Sequence, residues 1–199
     1  MNAVHRFGLL APIAAVSLAG CGVNSVPTAE EQVNAAWGNL QSEYQRRADL
    51  VPNLVSTVKG YAQQEKSVLV EVTEARAKAT SIQLSGDDLS DPAKVKAFSD
   101  AQGQLGSSLG RLLATFEAYP NLKSNENFLT LQSQLEGTEN QIRVARRDYN
   151  ESVRGYNTRI RTFPDAIGAK IFYGAKPKVP FEAASAAQTA PKVDFNTAG

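Results

Sequence analysis

The feature that most constrains the fold is a seven-residue apolar repeat in the second half of the chain. Apolar or aromatic residues recur at every seventh position, at Phe128, Leu135, Ile142, Tyr149, Tyr156 and Phe163. Six consecutive matches to this spacing predict a helix of about 60 Å, from near Ser124 to Phe163, with one side packed against other helices. Because so long a helix cannot bury that side alone, the chain must supply long partners.

The first predicted partner begins soon after the start of the chain. Thr28 and Glu31 fit a capping box that opens a helix, whose apolar stripe is Val33, Trp37, Leu40 and Tyr44. Pro52 then removes a backbone donor and disfavours helix in the residue before it. The alternatives at Pro52 are a turn and a kink. The sequence favours the turn, because one unbroken helix would outreach its partners.

Two more helices are predicted between Pro52 and Pro120 from apolar spacings of four and three. The seam of the second is Leu54, Val58, Tyr61, Glu65, Val68, Val72, Ala75, Ala79 and Ile82. Asp91 as N-cap and Pro92 at the first helical position begin the third. Its seam is Val95, Phe98, Gln102, Leu105, Leu109, Leu112, Phe116 and Tyr119. The sequence therefore predicts an all-α fold, an antiparallel up-down four-helix bundle with long helices.

The segments outside this bundle have different compositions. Residues 1–20 are predicted to be a signal peptide, 21–27 a small polar tether, and 28–181 the bundle with a C-terminal packing segment. In that segment, Ile167, Ile171, Phe172 and Tyr173 are predicted to form one helical turn on the bundle end, and Phe181 to pack there too. Residues 182–199 are mostly small or polar and are predicted to be a disordered tail.

The first twenty residues have the pattern of an export signal. His5 and Arg6 precede an uncharged apolar run, Phe7 to Leu18, which is too short to span a membrane. The following Leu18-Ala19-Gly20-Cys21 resembles the lipobox of bacterial lipoproteins, in which the signal is cut before the cysteine and acyl chains are attached to it. We expect a lipid anchor on Cys21 and an extracytoplasmic location at a membrane. An ordinary cleaved signal or a short uncleaved anchor is the alternative.

Composition speaks against several classes of function. The 21 Lys and Arg residues are balanced by 20 Asp and Glu residues, which disfavours nucleic-acid binding. The only histidine is His5 and the only cysteine is Cys21, so zinc sites, cysteine nucleophiles and Ser-His-Asp catalysis lack their residues. Asp87, Asp88 and Asp91 lack the spacing of a calcium loop. No catalytic residue, metal site or cofactor is predicted.

Polar residues also fall where the helices are predicted to pack. Glu65 takes a seam position, and charged and amide side chains crowd the middle of the fourth predicted helix. Because buried charges need partners, acids of the second helix are expected to meet arginines of the fourth. This network fixes the helix register or binds a polar ligand or partner, and the former is favoured. Its predicted members are Glu65, Glu71, Glu74, Glu136, Glu139, Asn140, Arg143, Arg146, Arg147 and Asn150.

A local excess of positive charge marks the same region. Between Gln141 and Arg161 there are six arginines and two acids. Such a run is most often a solvated helix face with intrahelical ion pairs. The alternative is a surface for anionic lipid headgroups or an acidic partner.

Short motifs along the chain are similar to those of the LemA family. They are Arg46-Arg47-Ala48-Asp49-Leu50-Val51-Pro52-Asn53-Leu54-Val55, Val58-Lys59-Gly60-Tyr61, Glu71-Val72-Thr73-Glu74-Ala75-Arg76, Tyr119-Pro120-Asn121-Leu122-Lys123, Asn125-Glu126-Asn127-Phe128, Glu136-Gly137-Thr138-Glu139-Asn140, Ala145-Arg146-Arg147, Tyr149-Asn150, Tyr156-Asn157 and Phe163-Pro164. The resemblance implies a membrane-attached helical bundle outside the cytoplasmic membrane, with no established enzymatic activity. It also implies envelope-protein partners such as a membrane metalloprotease.

This chain departs from that family pattern in two places. Family members commonly keep an N-terminal transmembrane helix, where this chain has the lipobox-like segment. Gln63-Gln64-Glu65 stands where the family often has His before Glu, so no metal site is carried over. We therefore expect a membrane-anchored envelope lipoprotein that acts as an adaptor or scaffold and is not an enzyme. The alternatives are a ligand-binding or enzymatic bundle that uses the Glu/Arg/Asn network, and a purely structural spacer.

Overall fold

The computed structural model describes residues 24–60 and 65–181. In these ranges the chain is helical and contains no strand, which confirms the predicted all-α class. The predicted signal peptide, Cys21 and the predicted tail lie outside the described residues. The helices are α1 (Ser25–Lys59), α2 (Lys66–Ser81), α3 (Pro92–Phe116), α4 (Pro120–Lys123), α5 (Glu126–Arg159) and α6 (Asp165–Ile171), with a 3₁₀ turn at Asp87–Ser90.

The predicted turn at Pro52 is wrong, because α1 continues through Pro52 to Lys59. A proline in a helix leaves the carbonyl four residues earlier without its usual N–H donor, and here that carbonyl belongs to Ala48. Arg76 of α2 replaces the missing donor, with its Nε 2.8 Å from the Ala48 oxygen. Helix α1 ends at Lys59 with Gly60 as its C-cap, and α2 begins at Lys66.

Other helix ends differ from the predicted ones by a few residues. Helix α1 begins at Ser25, so the last residues of the predicted tether are helical, and the Thr28 hydroxyl donates to the Asn24 carbonyl at 2.7 Å. Asp91 caps α3 as predicted, with its carboxylate accepting from two backbone N–H groups. Helix α5 ends at Arg159, and Phe163, predicted to lie in its seam, is 77% exposed.

The core consists of two clusters of buried residues. The cluster near the start of α1 is aromatic: Trp37 contacts Phe98 edge-on at 5.2 Å and stacks against Phe181 at 5.9 Å, while Tyr149 lies 5.7 Å from Trp37. The second cluster is mostly aliphatic and contains Val51, Leu54, Val58, Val72, Leu105, Leu109, Leu112, Phe116, Phe128 and Leu135. The predicted seams of all four long helices thus contribute to the core.

A C-terminal strap, defined as residues 175–181, closes the aromatic cluster. Asn157 of α5 donates to the Lys178 carbonyl and accepts from its N–H, at 2.8 and 2.9 Å. Asn150 makes the same pair of bonds with the backbone of Phe181, at 2.9 and 2.8 Å. The two amide side chains thus give the strap the kind of backbone hydrogen bonds that a neighbouring strand provides in a sheet. They also hold the Phe181 ring in the core.

The end where α1 begins and α5 finishes is called the proximal end, and there Arg159 donates to the Ser25 carbonyl at 3.2 Å. Helix α6 lies at this end and buries Ala169 in the aromatic cluster. The predicted helix is present at Ile167 and Ile171, but it ends before Phe172 and Tyr173. Its predicted packing is wrong, because Ile167, Ile171 and Phe172 are 52%, 68% and 68% exposed.

Candidate functional site

A buried arginine, Arg47, joins the four longest helices. Its side chain is 4% exposed. Its Nη1 lies 2.8 Å from Glu139 Oε1 on α5, and its Nη2 donates to the backbone and side-chain oxygens of Gln102 on α3 at 2.9 and 2.7 Å. Gln102 in turn donates from Nε2 to the Ala79 carbonyl of α2 at 3.2 Å. The chain of bonds therefore fixes the axial register of α1, α2, α3 and α5.

The surroundings of Arg47 suit a buried cation. Its guanidinium lies over the Tyr44 ring, 5.2 Å from the centroid, within the range of a cation–π contact. A side chain at Gly106 would place its Cβ 3.2 Å from Arg47 Nη1, so glycine leaves room for the guanidinium. Burial raises the pKa of Tyr44 although Arg146 and Arg47 act to lower it. Glu139 remains 40% exposed, so one side of the ion pair reaches water.

The predicted network did not include Arg47, and Gln102 was identified only as a seam position. The missed signal is the spacing itself, because Val33, Trp37, Leu40, Tyr44, Arg47, Val51, Leu54 and Val58 alternate by four and three without a break. Every one of these side chains is buried. Read through Pro52, the pattern places Arg47 in the core and predicts one continuous helix.

The predicted acids lie in several different places. Glu139 is in the buried network, whereas Glu71 pairs with Arg111 of α3 at 3.1 Å. Glu65 is the N-cap residue of α2 and accepts from the Tyr119 hydroxyl at 3.3 Å. Glu74 and Glu136 are exposed. The cross-helix pairs expected between the α2 acids and the α5 arginines are therefore replaced by pairs with α3 and by the Tyr119 contact.

The remaining predicted polar residues divide between the core side and the solvent side of α5. Asn150 holds the strap, and half-buried Arg146 lies over the Phe181 ring at 5.7 Å. Asn140 is exposed and accepts from Arg143 at 3.0 Å. Arg147 is also exposed. The predicted cluster is thus not one site.

Three exposed arginines of α5 form what we call the arginine face: Arg143, Arg147 and Arg154. Spacings of four and seven residues put them on one side of the helix. The side chains of Arg147 and Arg154 are 74% and 77% exposed, and their ion pairs with Asp148 and Glu151 are long, at 3.5 and 3.8 Å. The expected intrahelical ion pairs are present, but their N–O distances are long. The guanidinium groups therefore remain accessible to a partner.

The acids before α3 have structural partners. Asp88 accepts from the N–H and hydroxyl of Ser85 at 2.8 and 2.7 Å, and also from Lys94. The hydrogen bond from Lys94, followed by those from Ser85, holds the pKa of Asp88 well below its usual value. Within residues 24–60 and 65–181, no group of three His, Cys, Asp or Glu side chains could hold a metal ion.

Comparison with known proteins places the chain in a family. The LemA family model matches residues 36–195. The chain belongs to the LemA family. This confirms the resemblance carried by the motifs around Arg47, Glu71 and Tyr119.

The LemA chain is also similar to several curated relatives. Magnetosome protein MamQ 2 of Paramagnetospirillum magneticum is 26% identical over 180 residues, which cover 82% of this chain and 66% of the relative. Magnetosome protein MamQ of Magnetospirillum gryphiswaldense is 27% identical, with coverage of 71% and 58%. Protein LemA of Metamycoplasma hominis is 26% identical, with coverage of 70% and 60%.

The matched region thus spans about three fifths to two thirds of the length of these relatives. Their names state no enzymatic reaction. None of the helices in the described part of the LemA chain combines the length and apolar character needed to cross a bilayer.

Proposed function

We propose that this LemA-family chain is a lipid-anchored adaptor of the cell envelope that binds an acidic partner protein along the arginine face. The anchor is the acylated Cys21 left after removal of residues 1–20, and the helical domain lies on the extracytoplasmic side. Its four longest helices are arranged as an antiparallel up-down bundle. The observation that carries the proposal is the exposure of Arg143, Arg147 and Arg154 on one side of α5.

The arginine face suits recognition of carboxylates. Guanidinium groups bind carboxylates through paired N–H donors. Exposed ion pairs of long geometry contribute little to folding. Arg147 and Arg154 can therefore exchange Asp148 and Glu151 for the acids of a partner at small cost to the fold.

Height above the membrane favours a protein partner over lipid headgroups. If Cys21 is the anchor, the proximal end faces the bilayer, because Ser25 follows it by four residues and contacts Arg159. Arg147 and Arg143 precede Arg159 by 12 and 16 residues, which corresponds to about 18 and 24 Å along α5. Electrostatic attraction to headgroups is screened within about 8 Å at physiological salt. The upper arginines thus lie beyond its reach.

The buried network supports an interaction protein more than an enzyme or a ligand-binding bundle. Arg47 donates three hydrogen bonds to protein acceptors, and Gln102 also bonds the backbone of α2. Bonds that join four helices are what a register-fixing network requires, although Arg47 Nε is buried without a hydrogen-bond partner. The exposed arginines of α5 take no part in this network and remain available for recognition.

The test is site-specific photo-cross-linking in the native host, using the full chain with a photoreactive residue at position 143, 147 or 154. Exposed Lys78 on α2 and Lys96 on α3 provide matched control positions. We expect one discrete membrane-fraction protein at the α5 positions and its absence at the control positions. Mass spectrometry then shows whether that protein is acidic and whether it is a membrane metalloprotease.

Charge reversal decides whether the arginines cause the contact. With the probe at position 147, the R143E/R154E variant should lose the cross-link, whereas K78E/K96E should keep it. Both variants change exposed side chains, so the fold and the membrane fraction should be unaffected. Lipid adducts alone, or an unchanged cross-link after reversal, would contradict the adaptor proposal and favour the structural spacer.

A further inference from the structure

Five of the seven large apolar side chains that are exposed in residues 24–60 and 65–181 lie at the proximal end. Phe163, Ile167, Ile171, Phe172 and Tyr173 are 77%, 52%, 68%, 68% and 41% exposed within a stretch of 11 residues. Exposed Val70 and Leu129, at 54% and 47%, belong to α2 and α5. A concentration of exposed apolar side chains in one segment is typical of a site for a protein or a membrane. We call this segment, residues 163–173, the apolar foot.

The geometry of α6 holds the apolar foot outward. Ala169 is 2% exposed and packs into the aromatic cluster. Residues two positions apart on a helix point about 200° apart, so Ile167 and Ile171 face away from the surface that Ala169 contacts. The apolar foot is thus exposed because of how a packed helix is oriented.

The position of the apolar foot indicates which surface covers it. The proximal end contains Ser25, and Cys21 precedes Ser25 by four residues. Four residues of extended chain span at most about 14 Å. An acyl chain attached at Cys21 therefore brings the bilayer to the end of the domain that carries the apolar foot.

The charges beside the apolar foot also suit a membrane. Residues 159–176 contain Arg159, Arg161, Lys170 and Lys176 but a single acid, Asp165, which lies 3.8 Å from Arg159. Basic residues that flank apolar side chains at an interface favour anionic lipids. The full chain has a formal net charge of only +1, so this excess is local.

We infer that the apolar foot inserts into the headgroup and upper acyl region of the bilayer, as a second membrane contact beside the lipid anchor. The inference rests on the proposed anchor at Cys21. Insertion of Phe172 and Ile171 fixes the domain upright, with α1 and α5 along the membrane normal. The lipid anchor alone would leave the domain free to tilt.

The test is quenching of a tryptophan by brominated lipids, with the lipidated full chain in vesicles that contain anionic lipid. F172W places the reporter in the apolar foot, and L129W places a matched reporter near the start of α5, at the opposite end of the domain. The native Trp37 is an internal reference because it is buried and 12 residues into α1, or about 18 Å from its start. We expect quenching of Trp emission in F172W well above that of the parent chain, and no increase in L129W.

The possible outcomes separate this inference from the proposed anchor. Vesicle flotation and the mass of the N-terminal peptide report lipidation independently of quenching. A chain that is lipidated and floats, but shows the same quenching in F172W as in the parent, overturns the inference and leaves the anchor intact. If the emission of the tryptophan at position 172 is blue-shifted but is not quenched by brominated lipid, a second copy or another protein covers the apolar foot. That result also overturns the inference.

A second variant checks that apolar contact is the cause. The I167D/I171D substitutions in the F172W chain change only exposed side chains, so the fold should be retained. We expect the excess quenching to disappear while flotation persists. Retention of the excess quenching in this variant would contradict insertion of the apolar foot.

Discussion

The R47M substitution should destabilise the domain by about 3 kcal/mol. It removes three hydrogen bonds of 2.7–2.9 Å from a residue that is 3% exposed. Removing one partner of a buried ion pair costs about 3–5 kcal/mol, and a buried acceptor left without a donor costs about 1–3 kcal/mol. The lower end applies because Glu139 is 40% exposed and water can solvate its carboxylate.

The same reasoning predicts an asymmetry between the two partners. E139Q should cost only about 1 kcal/mol or less, since the amide oxygen still accepts from Arg47 and the site reaches water. R47M/Q102M should lose about 1 kcal/mol less than the sum of the losses of R47M and Q102M, because each single substitution already removes the bond between Arg47 and the Gln102 side chain. R143M is the matched control, and it should change stability by less than about 0.5 kcal/mol because Arg143 is exposed.

Urea unfolding of the full chain, followed by far-UV circular dichroism, measures these differences. A loss of about 3 kcal/mol corresponds to a fall in Tm of about 6–12 °C for a domain of this size. Equal losses for R47M and E139Q would show that the carboxylate is as important as the guanidinium. A neutral or stabilising R47M would refute the reasoning outright, because it would mean that desolvation outweighs the three bonds.

Three further predictions concern the same helices. G106A should destabilise the domain although alanine is the better helix former, because its Cβ would lie 3.2 Å from the buried Nη1 of Arg47. The control G103A should stabilise the domain by about 0.5–1 kcal/mol, because its Cβ meets nothing within 4 Å. Thermal unfolding compares the two variants. R76M should lower the free energy of unfolding by about 1–2 kcal/mol in the native chain. The loss should be smaller in a P52A background, because the backbone N–H of residue 52 then donates to the Ala48 carbonyl. A double-mutant cycle that finds no coupling between the two substitutions would contradict this. Burial, with a smaller contribution from the charge of Glu30, raises the pKa of Tyr156 to about 12, from 10.0 for an unperturbed tyrosine. The stability gained by keeping Tyr156 neutral is complete below about pH 10 and is lost as pH rises towards 12, so Y156F should move alkaline unfolding, followed by circular dichroism, to higher pH.

Much of the fold follows from local spacing in the sequence. The seven-residue repeat from Phe128 to Tyr156 and the cap at Asp91 are both found where the residues predict them. Local rules failed at Pro52, because the group that compensates for the missing N–H is Arg76, 24 residues later. A rule based only on neighbouring residues cannot predict that bond.

The candidate site was less accessible from sequence than the fold. The polar network was predicted from the crowding of charged residues on α5. The arginine that is buried is instead Arg47, which stands singly among the apolar residues of the α1 stripe. Ile167, Ile171, Phe172 and Tyr173 were predicted to pack because they are large and apolar, but hydrophobicity alone does not show which side of a helix faces the core. Ala169, which was not in that predicted set, is the residue that meets the core.

The pairing of α1 with α5 has a consequence for how the chain folds. Trp37 packs against Tyr149 and Phe181, so the aromatic cluster joins residues that are more than 110 positions apart. Closing so long a loop carries a large entropic cost before any contact rewards it. Although Phe98 of α3 also contacts Trp37 and Tyr44, the aromatic cluster cannot close until residue 181 has emerged. During synthesis or transport, the side of Trp37 that meets Tyr149 and Phe181 therefore has no permanent partner, and a chaperone that binds exposed apolar helices would have its longest opportunity there.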